Sequence, residues 1–144
     1  MANVIFKELG FPVVLVDPPM VTVRGQEVPD VNLRALQEAV FQMLVVKPTR
    51  LTGAEVRFVR KFLHLRQADL AELLNMANHT VVSQWESHGD EPAGMEYNTE
   101  VVLRLSMATR IGRREDVPEL LERGLKKLAP GRGAPLRVPL PLAA

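Results

Sequence analysis

Gln67-Ala68-Asp69-Leu70-Ala71-Glu72-Leu73-Leu74, then Asn75-Met76-Ala77, then Asn78-His79-Thr80-Val81-Val82-Ser83-Gln84-Trp85-Glu86, is the stretch whose reading decides the fold. Leu70, Leu73 and Leu74 recur at the three- and four-residue spacing of a helix with one inward face. Asn75 breaks that helix, because asparagine is one of the few residues that tolerate a left-handed backbone. Asn78 is placed to cap a second helix over about 79–86, and Val82 with Trp85, three residues on, gives that helix its own apolar side. A short helix, a tight turn and a second helix make the helix-turn-helix plan, whose second helix lies in the DNA major groove.

If Val82 and Trp85 point inward, His79, Thr80, Ser83 and Gln84 point outward together. All four side chains can hydrogen-bond to base edges, and a glutamine can pair with adenine through two bonds. Asn78 stands at the start of the same row. Gln67 opens the first helix of the pair, where free amides and the helix dipole favour a phosphate. Arg57, Lys61 and Arg66 are candidates for further phosphate contacts, which position a protein without reading sequence.

Outward from this pair, Thr52-Gly53-Ala54-Glu55 has the spacing of a capping box and predicts a helix through about Leu63, with Val56, Val59 and Leu63 on one face. Downstream, Asn98–Ile111 predicts a helix with Val101, Val102, Leu105 and Ala108 toward the core. Glu115–Leu128 predicts one more helix, with Pro118 in its first turn. Upstream, Leu33, Leu36, Val40 and Leu44 predict a helix over roughly 31–46, capped by Asp30 and ended by Lys47-Pro48. Pro12–Val16 and Met20–Arg24 are strand-like, separated by Asp17-Pro18-Pro19. A hairpin is expected there, with Val4–Phe6 or a strand of a second subunit as partner. The expected organisation is an N-terminal β-hairpin and helix over 1–48, a helix-turn-helix domain over 49–112, a helix over 113–128 and a flexible tail over 129–144.

Composition narrows the function classes. The chain has 144 residues and no cysteine, which excludes disulfides, iron–sulfur clusters and thiolate zinc sites. That suits a reducing cytosol, so a cytoplasmic location is expected. Met1–Leu9 lacks the basic and apolar regions of a signal peptide, and the apolar stretches Pro12–Val16 and Val40–Val46 are too short to span a bilayer. His64, His79 and His88 have no metal spacing, and there is no nucleophile elbow, phosphate loop or paired acidic motif. The reading is therefore a non-enzyme without metal or cofactor. Residues 51–112 carry six basic against eight acidic groups, although the whole chain is +1. A mildly acidic core argues against tight DNA binding by a monomer, since phosphate neutralisation dominates affinity, and points to a homodimer. Arg113, Arg114, Arg123, Lys126 and Lys127 are either a solvated face or an auxiliary phosphate contact.

Gln67–Leu74 and Val82-Ser83-Gln84-Trp85-Glu86 resemble the Xre (Cro-like) family of helix-turn-helix regulators. With Leu51-Thr52-Gly53-Ala54-Glu55 added, the stretch from about Val21 through Leu105 looks like the MqsA-type antitoxin branch. The resemblance implies a mainly α fold: a five-helix Xre-type domain preceded by a small β-hairpin-plus-helix element. It further implies an ion pair between Arg60 and Glu86, and a dimer, with Leu103 and Met107 as candidates for its contact, that binds double-stranded DNA at a palindromic operator and represses transcription. An antitoxin that also neutralises a protein toxin is the alternative function. Zinc, which many members of that branch bind through N-terminal cysteines, is not carried over to a chain without them.

Overall fold

The computed structural model describes residues 3–125, 131–140 and 142, with 123–125 in their backbone only. Two compact units emerge: the chain up to Val40 together with the segment from Ala134 onward, and Phe41–Gly133.

In the first unit, β1 (Asn3–Phe6) pairs antiparallel with β2 (Val13–Val16), Asn3 opposite Val16 and Phe6 opposite Val13. On its other edge β2 pairs in parallel with β5 (Leu136–Pro139), Val13 opposite Leu136. Val13, Leu15 and Val138 are buried, and Val14 and Val16 are half-buried. Four apolar residues in succession suit a central strand, whereas a strand with one wet face alternates. A separate hairpin joins β3 (Met20–Val23) to β4 (Gln26–Pro29), Val21 opposite Val28. Its turn residues Arg24 and Gly25 both have positive φ, +50° and +78°, as a two-residue type I′ turn requires.

Several expectations need correction here. The strands at 12–16 and 20–24 exist but do not pair with each other; Asp17-Pro18-Pro19 carries the chain from one hairpin to the next. The expected tail contains β5, whose Leu136 and Val138 alternate with exposed Arg137 and Pro139. Of 129–144, residues 129–130, 141 and 143–144 lie outside the described residues. Asn32, in place of Asp30, caps the following helix, its Oδ1 accepting from Ala35 N–H at 3.0 Å. The Asp30 amide instead donates to Pro19 O at 2.7 Å, closing the base of the β3–β4 hairpin.

That helix, α1 (Leu33–Val45), holds the division between the units. Leu36, Val40, Phe41, Leu44 and Val45 are fully buried, whereas Leu33, the first residue of the helix, is 46 % exposed. The second unit continues with α2 (Gly53–Phe62), α3 (Gln67–Leu73), α4 (Thr80–Glu86), α5 (Tyr97–Arg110), a short 3-10 turn at Arg114–Asp116, and α6 (Val117–Leu125). Phe41 stacks on Phe62 with ring centroids 4.3 Å apart. Four helices fall within 49–112 and the fifth follows Gly112. With six helices and five short strands among the described residues, the chain is more mixed than a mainly α protein. No helix among them is long and apolar enough to cross a membrane.

On α5 the buried stripe is Glu100, Leu103, Arg104, Met107 and Ala108, at the spacing of one helix face. Leu103 and Met107 are thus core residues and not a dimer contact, while Val102, expected inward, is 46 % exposed. Two charged residues occupy the buried face, so hydropathy alone places the stripe wrongly.

The start of α2 is held with little room to spare. Thr52 Oγ1 accepts from Glu55 N–H at 3.1 Å and Glu55 Oε1 accepts from Thr52 N–H at 2.8 Å, completing the capping box. The next two amides donate outside the helix, Gly53 to Glu91 O at 3.1 Å and Ala54 to Gly89 O at 2.9 Å. A Cβ at position 53 would stand 2.5 Å from Trp85 O and 2.9 Å from Gly89 N. Alanine usually exceeds glycine in a helix by up to about 1 kcal/mol. Gly53→Ala should instead destabilise the protein by about 1–3 kcal/mol, the usual cost of overpacking. A urea titration reads this directly; an unchanged or raised midpoint would show that α2 and the end of α4 can move apart freely.

Candidate nucleic-acid interface

The pair α3–α4 is built as its sequence dictates. Leu70 and Leu74 are buried, and Leu73 is half-buried. Asn75 takes the left-handed conformation at φ +58°, and the Met76 amide reaches back to Ala71 O at 2.7 Å, ending the helix. Asn78 Oδ1 accepts from Thr80 N–H at 2.9 Å, but Asn78 stands one residue ahead of the α4 cap position, which is His79 and makes no side-chain cap hydrogen bond. Val82 and Trp85 are buried, and His79, Thr80, Ser83 and Gln84 are all exposed. The polar row therefore faces water.

Arg60 holds this pair onto α2. Its Nε and Nη2 donate to the two carboxylate oxygens of Glu86 at 2.6 and 3.0 Å, and its Nη1 donates to Leu65 O at 3.0 Å. The two side chains are 13 % and 7 % exposed, so the ion pair is largely desolvated. Gln67 Nε2 adds a longer contact to Glu86 Oε1 at 3.4 Å. One carboxylate at the end of α4 thus ties together α2, the α2–α3 connection and the first residue of α3.

The basic candidates are less concentrated. Arg57 and Lys61 are exposed, four residues apart on α2 and away from buried Val56 and Val59. Arg66 is exposed but engaged, with Nε and Nη2 donating to Asp69 at 3.1 and 3.0 Å. The Arg66 guanidinium, and then its backbone amide, hold the Asp69 carboxyl below the usual carboxylate range, and Asp69 in turn raises the Arg66 pKa. Arg113 is structural: it pairs with Asp116 at 2.8 Å and donates to Gln42 Oε1 at 3.0 Å. Arg114 is exposed, while the Arg123 side chain, Lys126 and Lys127 lie outside the described residues. His64 occupies a left-handed position just past α2 at φ +58°, and His88 Nδ1 donates to Gln84 O at 2.8 Å. No group of three or more metal-ligating side chains occurs among the described residues.

A second set of charged residues is absent from the sequence reading. Glu100, 1 % exposed, accepts from Arg50 Nε at 2.8 Å, Arg104 Nη2 at 2.6 Å and Leu51 N–H at 3.2 Å. Arg104 donates also to Thr49 O and Lys47 O, and Arg50 to Met95 O, while the Arg50 guanidinium lies 5.6 Å from the Tyr97 ring centroid. Lys47 Nζ reaches Glu55 Oε1 at 2.6 Å, the oxygen that also serves the capping box. The i,i+4 spacing of Glu100 and Arg104 is the one sequence signal that could have revealed this group.

No protein-family model, curated protein or solved structure matches the chain.

An exposed ion pair is worth under about 1 kcal/mol, but removing one partner of a buried pair costs roughly 3–5. Glu86→Gln keeps the shape and removes the charge, so it should cost about 3 kcal/mol and lower Tm by several degrees. A melting curve unchanged within error would mean that Arg60 and Glu86 are effectively solvated.

Proposed function

We propose that this protein is a sequence-specific DNA-binding regulator with an Xre-type helix-turn-helix, acting as a two-fold dimer that represses transcription by occupying a palindromic operator. The observation that carries the reading is the exposed row His79, Thr80, Ser83 and Gln84, set opposite buried Val82 and Trp85 on a helix pinned through Glu86. Side chains on a fixed helix reach base edges without losing order on binding, so their hydrogen bonds convert into discrimination. Gln67, Arg57 and Lys61 serve the backbone, and Arg66 does so only by sharing its charge with Asp69.

Charge supports the dimer. Of the eight acidic residues in 51–112, Glu55, Glu86 and Glu100 are withdrawn into ion pairs, but Arg60 and Arg104 are withdrawn with them. Few basic groups remain for phosphates on one copy. Two copies at half-sites about one helical turn, roughly 34–36 Å, apart double the contacts through one binding event.

Selection from a random DNA pool by the purified protein should return a palindrome. On that sequence Gln84→Ala is expected to relax preference at one base pair per half-site by roughly 1–3 kcal/mol. Lys61→Ala should weaken all sequences alike and reduce the salt slope by about one per subunit. Identical behaviour of the two variants toward specific and random DNA would remove the outward row from the recognition surface.

A further inference from the structure

We infer that two copies of this chain join along the outer edge of β3, antiparallel, about a two-fold axis passing at Thr22. The inference rests on the reading of the protein as a dimeric regulator and names the surface that makes the dimer.

The β3–β4 hairpin is the least covered element of its unit. Every residue of β3 is exposed, with Met20, Val21 and Val23 at 41, 42 and 50 %. A lone two-stranded hairpin is marginal in water, and among the described residues no third strand pairs with this one. Val21, Val23 and Val28 share one face of it, by the register that sets Val21 against Val28. An unprotected apolar edge invites another strand unless proline or charge blocks it. The edge of β4 is blocked, for Pro29 has no N–H to give and Glu27 would meet its own copy. The edge of β3, Met20-Val21-Thr22-Val23, carries neither proline nor charge.

Charge selects a second copy and its direction. The base of the hairpin is acidic, with Asp17 and Asp30, and its tip is basic, with Arg24; all three are exposed. Antiparallel pairing about Thr22 sets Val21 against the partner's Val23 and brings each Arg24 to the acidic base of the other copy. Parallel pairing would place like charges together. The result is a four-stranded sheet whose apolar face carries the three valines of each copy.

The chain has no cysteine, so Thr22→Cys supplies a single thiol per copy. Directly opposed residues of an antiparallel pair have Cα atoms about 4.5–5.5 Å apart, within the span of a disulfide. Mild oxidation should convert most of the Thr22→Cys protein to a reductant-sensitive dimer, and leave Glu27→Cys, on the opposite strand, largely uncross-linked. Sedimentation without DNA should give a dimer for the unmodified chain, a dimer Kd raised at least tenfold for Arg24→Glu, and recovery when Asp30→Arg is added. A monomeric chain, or a dimer that Thr22→Cys fails to cross-link, overturns the inference. Specific DNA binding by Thr22→Cys protein that fails to cross-link under oxidation overturns this surface alone. A cross-linked dimer that selects no DNA supports the surface and overturns the regulator reading.

Discussion

The Glu100 carboxylate is the constraint on which the helical unit depends. It lies on the buried face of α5 and gathers Arg104 from its own helix, Arg50 from the segment before α2, and the Leu51 amide. That segment is then fixed at its far end by Thr52 and Glu55, and Ala93 N–H donates to Leu51 O at 3.0 Å. The amides at the start of α2 take carbonyls from the loop after α4. A chain of hydrogen bonds therefore runs from α5 through 47–52 to α2 and onward to the end of α4. Desolvating each charge costs several kcal/mol, offset only if its remaining polar atoms find partners. Here the carbonyls of Lys47, Thr49, Arg50 and Met95 take several of the remaining donors. Three cations face two carboxylates in this group, and the excess charge has an outlet: Arg50 is 23 % exposed, the others nearly none.

This anchor is also what sequence reading could least foresee. Local signals carry far in this chain: the capping box at Thr52, the break at Asn75, the inward Val82 and Trp85, and the stop before Lys47-Pro48 all depend on neighbours within a few residues. Where hydropathy is the guide, it fails wherever charge is buried, and so α5 is rotated, with Leu103 and Met107 taken for surface. Pairing between strands distant in sequence has no local signature. Leu136–Pro139 looks like part of a proline-rich tail until β2 lies beside it. The hint was in β2 itself, since four apolar residues running from Val13 to Val16 need cover on both edges and both faces. A parallel partner demands a long crossover, and here the whole segment Phe41–Gly133 falls between the two strands in sequence.

The candidate site was legible where it depends on helical period and obscure where it depends on which partner a charge chooses. The row from His79 to Gln84 follows from the 3.6-residue repeat once Trp85 is inward. Arg66, Gln67 and Arg113 look equivalent as polar candidates along the chain, yet Arg66 shares its charge with Asp69, Gln67 leans on Glu86, and Arg113 is absorbed by Asp116 and Gln42. What remains outward on α2 and α4 is a short polar face with Arg57 and Lys61 beside it, which share no ion pair among the described residues. Such a face suits reading base edges better than gripping backbone, because hydrogen-bond geometry discriminates while charge merely attracts. A single copy so equipped would choose its site well and hold it weakly. On the proposed reading, a second copy would change the strength of the grip, whereas the choice of sequence would rest on the fixing of α4 through Glu86.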